Sequence, residues 1–309
     1  MKGRAVGEAV HRPLAAALWM TGSIASFSVM AVAGRAVSGV HDTFEIMTWR
    51  SLLGFFVVVG VAFSLGRLHE LRRDRLASHL LRNLFHFTGQ NLWFWALTMI
   101  PLAQVFALEF TSPVWVILLA AVFLGERLTL AKMAAAALGF VGIWVVAQPD
   151  FAALEPGVLA AAASAVCFAA TAILTKALTK GESIISILFW LTLMQLGLGL
   201  AAAGWDGDIA LPTRATLPWL ALIGLCGLAA HYCLTTALAL APASVVVPVD
   251  FARLPVIAGV GWVVYGEAVG LNVWVGAAMI FAAILLNLRA TRSAQAQQKN
   301  RHDSVTPRQ

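Results

Sequence analysis

Residues 96–126 read ALTMIPLAQVFALEFTSPVWVILLAAVFLGE, and residues 237–267 read ALALAPASVVVPVDFARLPVIAGVGWVVYGE. A gapless shift of 141 positions lays Ala96-Leu97 on Ala237-Leu238, Pro101 on Pro242, Phe110 on Phe251 and Gly125-Glu126 on Gly266-Glu267. The same shift carries Glu109 onto Asp250 and, farther back, Trp49 onto Trp190. A repeat in so long and constant a register means two copies of one structural unit. Both copies are almost wholly apolar, so the unit belongs in a membrane.

Composition agrees. The 309 residues are 60% hydrophobic and 12% charged, with a mean hydropathy of +0.84, whereas a soluble domain carries roughly 25% charged residues. Apolar runs bounded by charge, Gly or Pro predict ten helices near 14–34, 43–66, 79–99, 101–124, 129–148, 156–178, 184–204, 216–239, 242–264 and 269–289. Each has about the length that the hydrocarbon core requires. The expected organisation is a first five-helix unit over 14–148, a second over 156–289 and a polar, disordered cytoplasmic tail over 290–309.

Counting Lys and Arg in alternate loops orients the chain. With the N-terminus in the cytoplasm, 17 of the 21 basic residues fall on the inside, only Arg35 and Arg214 fall outside, and Arg50 and Arg253 lie within spans. This bias predicts both termini in the cytoplasm. The net charge of +6 is thereby topological and gives no reason to expect nucleic acid. Five helices per unit is an odd number, so the second unit enters the membrane from the opposite side and the halves form an inverted repeat. That is the construction plan of many secondary transporters. The first span has a basic start and Ala31-Val32-Ala33, as a signal peptide would, but its shift partner at 155–175 lies in mid-chain, so a retained helix is expected. Cys167, Cys226 and Cys233 lie within spans without ligand spacing, so neither metal nor cofactor is expected.

Charged groups inside a bilayer cost roughly 2.5–3.5 kcal/mol on insertion scales and call for a partner or a task. Asp250 and Arg253 lie three apart in the ninth span, bracketed by Pro248 and Pro255. They share a helix face and can pair, and the prolines predict a kinked or unwound segment. Either substrate or the pair itself satisfies them. Glu109 has no basic neighbour at helical spacing, and Arg50, about 10 Å of rise into the second span, is its expected partner if substrate is not. Asp42 followed by Glu45 reads as a capping box. The shift lays Gln90 on His231 and Asn91 on Tyr232, while Asn83, His86 and Gln90 line one face of the third span. Such a stripe serves either a solute cavity or contacts between helices. Trp49, Trp93, Trp95, Trp115 and Trp190 either wall a cavity or anchor at the interfaces. Gly125 and Gly266 are expected to end helices, with Glu126 and Glu267 in the turns that follow.

The strings Ala96-Leu-x-x-x-Pro101, Phe110-x-x-Pro113, Leu124-Gly-Glu126 and Gly139-x-x-Gly142, with Ala237-Leu-x-x-x-Pro242 and Gly266-Glu267, resemble the EamA family of the drug/metabolite transporter superfamily. The resemblance spans residues 14 to 289. It implies an all-α integral membrane carrier of ten helices in two inverted five-helix repeats, with a central cavity and alternating access. Family members include exporters of amino acids and metabolites and uptake carriers for S-adenosylmethionine or riboflavin. The string Asp250-Phe-x-Arg-Leu-Pro255 resembles the S-adenosylmethionine branch more than the aromatic amino acid exporters. In the second copy Pro255 falls one position late for the Phe-x-x-Pro motif.

The expectation is an inner-membrane secondary transporter of a small polar metabolite, zwitterionic because the charged groups mix carboxylates with guanidiniums. Uptake of a compound like S-adenosylmethionine or riboflavin is the alternative. Asp250, Arg253, Gln90, His86, His231, Arg50 and Tyr232 are the candidate substrate contacts, and Glu109 is the candidate proton site. The lipid bilayer and the solute are the expected partners, and a homodimer is left open. The chain has no H-E-x-x-H, G-x-S-x-G or ATP-binding loop, which argues against an enzyme or a primary pump. Paired intramembrane charges argue against an open channel.

Overall fold

The computed structural model describes residues 12–37, 39–100, 105, 108–125, 129–147, 156–205, 208–265 and 270–305. Apart from turns and loops they form helices: α1 (Pro13–Val37), α2 (Thr43–Ser64), α3 (Leu76–Met99), α4 (Ser112–Leu124), α5 (Leu130–Ala147) and α6 (Pro156–Leu178). There follow α7 (Ile184–Ala203), α8 (Leu217–Leu240), the short α9 (Ala243–Val246), a 3-10 segment (Val247–Ala252), α10 (Arg253–Tyr265) and α11 (Leu271–Val305). Six of them, α1, α2, α6, α7, α8 and the start of α11, are long and apolar enough to cross a membrane. The chain is a multi-pass, all-helical membrane protein. The last helix does not stop at residue 289. It runs on to Val305, because the polar tail adds no glycine or proline before residue 307 to end the turns.

Helix starts repeat with the 141-residue period. Asp42 caps α2, its Oδ1 accepting from Glu45 N at 2.8 Å while Glu45 Oε2 accepts from Asp42 N at 3.1 Å, the expected capping box. Ser183, the equivalent position, caps α7 by accepting from Ser186 N. Glu45 does more than cap, since its Oε1 also accepts from Ala210 N in the loop before α8. Gly125 ends α4 with φ 67°, a left-handed conformation that glycine adopts without a Cβ penalty. Glu126, Gly266 and Glu267 lie outside the described residues.

The packing treats the halves as interchangeable. Helix α1 packs on α8 and α3 on α6, two contacts that trade places when the repeats are exchanged, whereas α2 with α7 and α5 with α11 map onto themselves. Two equivalent tryptophans follow the same rule. Trp49 Nε1 on α2 donates to Ala210 O in the α7–α8 loop at 3.1 Å, and Trp190 Nε1 on α7 donates to Arg72 O in the α2–α3 loop at 2.9 Å. Both act as anchors rather than cavity walls.

Gly139 and Gly142 bring α5 against its neighbours. A Cβ at Gly139 would lie 2.6 Å from Phe251 Cδ2, and one at Gly142 3.0 Å from Gly276 O. The motif therefore admits an aromatic ring at one position and the backbone of α11 at the next, a small-residue contact typical of membrane bundles. Two basic residues counted as cytoplasmic are buried instead. Lys176 Nζ donates to Leu238 O and Ala241 O at the end of α8, where a cation complements the helix dipole. Arg82 Nε donates to Thr175 Oγ1 and its Nη1 to Asn83 Oδ1.

Candidate substrate cavity

Between the two repeats lies a cavity of about 950 Å³, its mouth included. Its walls come from α1, α3, the turn before α4 and α4 itself in the first half, and from α6, α8 and the 3-10 segment with Arg253 in the second. The 141-residue shift runs through the lining. Phe27 and Phe168, Met30 and Thr171, Gln90 and His231, Trp93 and Leu234, Glu109 and Asp250, and Ser112 and Arg253 are equivalent pairs, and all twelve face the same space. The cavity thus sits on the relation that exchanges the halves.

Both copies break their helix at the floor of this cavity. In the first, Thr111 N bonds Leu108 O in a turn and α4 begins at Ser112. In the second, Val247–Ala252 winds as 3-10 helix with Pro248 in its first turn. The expected unwinding between Pro248 and Pro255 is therefore a tightening, which keeps the backbone wound while changing the angular spacing of side chains. That change aims Asp250 and Arg253 inward.

The ion pairs differ from one sequence expectation. Glu109 pairs with Arg253, not with Arg50. Arg253 Nη2 also holds Asp250 Oδ2 at 3.0 Å, and Trp93 Nε1 donates to the second oxygen of Glu109 at 2.7 Å. The Arg253 guanidinium stands 5.0 Å from the centre of the Phe110 ring and 5.5 Å from that of Phe27, within cation–π range. One cation is shared by two carboxylates, one from each repeat, and the triad is largely buried, with the Glu109, Arg253 and Asp250 side chains 8%, 12% and 21% exposed. Arg50 misses Glu109 because α2 packs against α7 and α8, so its side chain is turned away from α4 and reaches Met47 Sδ at 3.6 Å.

A chain of four rings crosses the cavity. Phe27 meets His231 edge to face at 5.6 Å, His231 meets His86 at 4.8 Å, and His86 meets Phe168 at 6.4 Å. Both ring nitrogens of His86 and of His231, the Gln90 Oε1 and the Ser23 Oγ are buried without a hydrogen-bond partner. Buried polar atoms are almost always satisfied in folded proteins, and these atoms are left available to a partner with donors and acceptors of its own. The stripe on α3 divides. His86 and Gln90 face the cavity, whereas Asn83 donates to His79 O and Trp190 O and accepts from Gln195 Nε2, joining α3 to α7.

Tyr232 does not belong to the cavity. It is 41% exposed and packs edge-on against Trp19, because consecutive residues on a helix face about 100° apart and His231 takes the inward direction. Trp95 and Trp115 are likewise exposed, and of the five tryptophans singled out only Trp93 lines the cavity. Sequence reasoning missed Phe27 and Phe168. Their coincidence under the 141-residue shift was the available signal.

Two break-bearing helices, an interrepeat cavity and buried charges at its floor define a membrane carrier. The comparisons carry this further: the EamA-like transporter family matches residues 14–148 and again 155–289, and the chain belongs to that family. It is 34% identical to the "Riboflavin transporter" of Rhizobium johnstonii over 90% of this chain and 92% of that protein. It is 29% identical to the "Riboflavin transporter" of Vibrio cholerae over 89% and 93%. The "S-adenosylmethionine uptake transporter" of Rickettsia felis is 25% identical over 93% and 95%. A solved crystal structure superposes with a TM-score of 0.76 at 19% identity, covering 90% of this chain and 98% of that one, which supports the fold.

Proposed function

We propose that the protein takes up a flat, hydrogen-bonding heterocycle of the riboflavin type across the inner membrane by alternating access. The observation that carries this reading is the cavity, where aromatic faces from Phe27, Trp93, Phe94 and Phe168 surround unpartnered donors and acceptors of His86, Gln90 and His231. Such walls stack a ring system and read its polar edge. The relatives named as riboflavin transporters support the same class over the amino-acid-like zwitterion, and the relative named as an uptake transporter supports uptake as the direction. A physical reason weighs with them. Of the groups that suggested a zwitterion, the Glu109 and Asp250 carboxylates are both engaged by the Arg253 guanidinium and do not stand apart to receive two ends of a solute, and Arg50 is not among the cavity-lining residues.

In this reading ten spans form two inverted five-helix repeats with both termini in the cytoplasm, as the distribution of Lys and Arg and the exchange symmetry of the packing support. Gln90, His86 and His231 contact the solute. Asp250 and Arg253 border it, and Glu109 exchanges the proton that couples uptake. The test is uptake of radiolabelled riboflavin by cells that can neither make nor import it, with and without the protein. Saturable uptake, competed by unlabelled riboflavin and not by S-adenosylmethionine, is expected. Uptake of S-adenosylmethionine alone would transfer the assignment to the second group of relatives.

A further inference from the structure

Behind His231, on the side away from the main cavity, a second and much smaller pocket lies between α2, α7 and α8. It is lined by Arg50, Ser51, Thr192, Gln195 and His231, with Gly54, Gly224 and Gly227 opening the space. Arg50 is 6% exposed and has no oxygen acceptor among the described residues. Its hydrogen-bonding contacts are Met47 Sδ at 3.6 Å and Met30 Sδ at 4.0 Å, both weak acceptors. The carboxylate nearest in sequence, Glu45, is spent on Asp42 N, His41 and Ala210 N. A buried guanidinium with no counter-charge is among the most costly arrangements a fold can hold.

Packing does not require a cation here. The 141-residue shift places Leu191 opposite Arg50, Thr192 opposite Ser51 and Gln195 opposite Gly54, and all six residues line this one pocket. The position equivalent to Arg50, on the facing side of the same pocket, is thus leucine. The pocket holds the Ser51 hydroxyl and two ring nitrogens of His231 that are buried and unpartnered, while the Thr192 hydroxyl is spent on Leu188 O and Phe189 O. A Cβ on Gly227 would come within 3.5 Å of the Arg50 guanidinium carbon, so the space is narrow.

We propose that Arg50, with Ser51 and His231, binds a single small inorganic anion of chloride size, separate from the organic solute. The inference does not depend on what that solute is. Because His231 faces both spaces, the anion also holds the imidazole that borders the main cavity.

The test is the thermal midpoint of the purified protein in detergent, without any organic solute, in sodium gluconate and in sodium chloride or bromide of equal ionic strength. An anion that binds only the folded protein raises the midpoint with concentration. The expected rise in halide is about 3 °C or more, absent in Arg50→Met, whose midpoint in gluconate is not lower than that of the wild type. Halide effects equal in wild type and Arg50→Met would mark a general salt effect and overturn the proposal, as would no effect in the wild type. Should Arg50→Met not fold, Ser51→Ala serves in its place and is expected to weaken the halide response at least several-fold. Bromide crystals give a second reading, with an anomalous peak beside Arg50 expected and its absence overturning the assignment.

Discussion

Arg253 of the second repeat is ion-paired to Glu109 of the first, and the residue equivalent to Glu109, Asp250, holds the same guanidinium nitrogen at 3.0 Å. Equivalent carboxylates therefore compete for one cation that has no equivalent, since the shift puts Ser112 opposite Arg253. The halves match in backbone plan and differ at the charge that joins them.

Arg253→Met leaves two carboxylates facing each other in a desolvated site. Removing one partner from a buried ion pair costs roughly 3–5 kcal/mol, so the thermal midpoint in detergent falls sharply and uptake is lost. Adding Glu109→Gln restores part of the midpoint, because one of the two stranded charges is gone. A double variant no more stable than the single one would count against the shared pairing.

Asp250→Asn keeps the shape of the site and removes one of the competing charges. Membrane insertion is unchanged and uptake is abolished, with immunoblotting of the membrane fraction alongside the transport assay separating the two. Normal uptake would sink the assignment of Asp250 to the machinery.

Trp93→Phe retains a ring against the cavity and deletes the donor that holds Glu109 Oε2 at 2.7 Å. A hydrogen bond to a charged group contributes about 1.5–3 kcal/mol, and the midpoint falls accordingly. Trp115→Phe, on an exposed position of α4, leaves it within experimental scatter.

Gln90→Leu and Tyr232→Phe separate cavity from surface. Gln90 Oε1 is buried and unpartnered, and leaving its solute partner unsatisfied costs about 1–3 kcal/mol, which appears as a KM for uptake raised roughly tenfold. Tyr232→Phe changes uptake by less than about twofold, as is usual for surface substitutions.

Gly142→Val forces a side chain into the contact with Gly276 O and Ile280. Overpacking costs about 1–3 kcal/mol and separates α5 from α11. The readout is a lower midpoint with the riboflavin response of the remaining folded protein preserved, since neither helix lines the cavity.

The linear chain is explicit about whatever depends on order and composition. The 141-residue register, the membrane setting and the family follow from it, and so do the capping box at Asp42 and the left-handed stop at Gly125. Hydrophobic length and local backbone chemistry act between neighbours in sequence, which is why they are readable there. Even the cavity was half written, for six of its wall positions are matched to six others by the shift. Which side chain meets which across the halves was decided only by tertiary packing. The rotation of α2 sends Arg50 to the sulfurs of Met30 and Met47 instead of Glu109, and the 3-10 winding of Val247–Ala252 brings Arg253 to Glu109 in its stead. A helix can turn by tens of degrees without changing its hydrophobic pattern, and a turn of that size exchanges one buried partner for another.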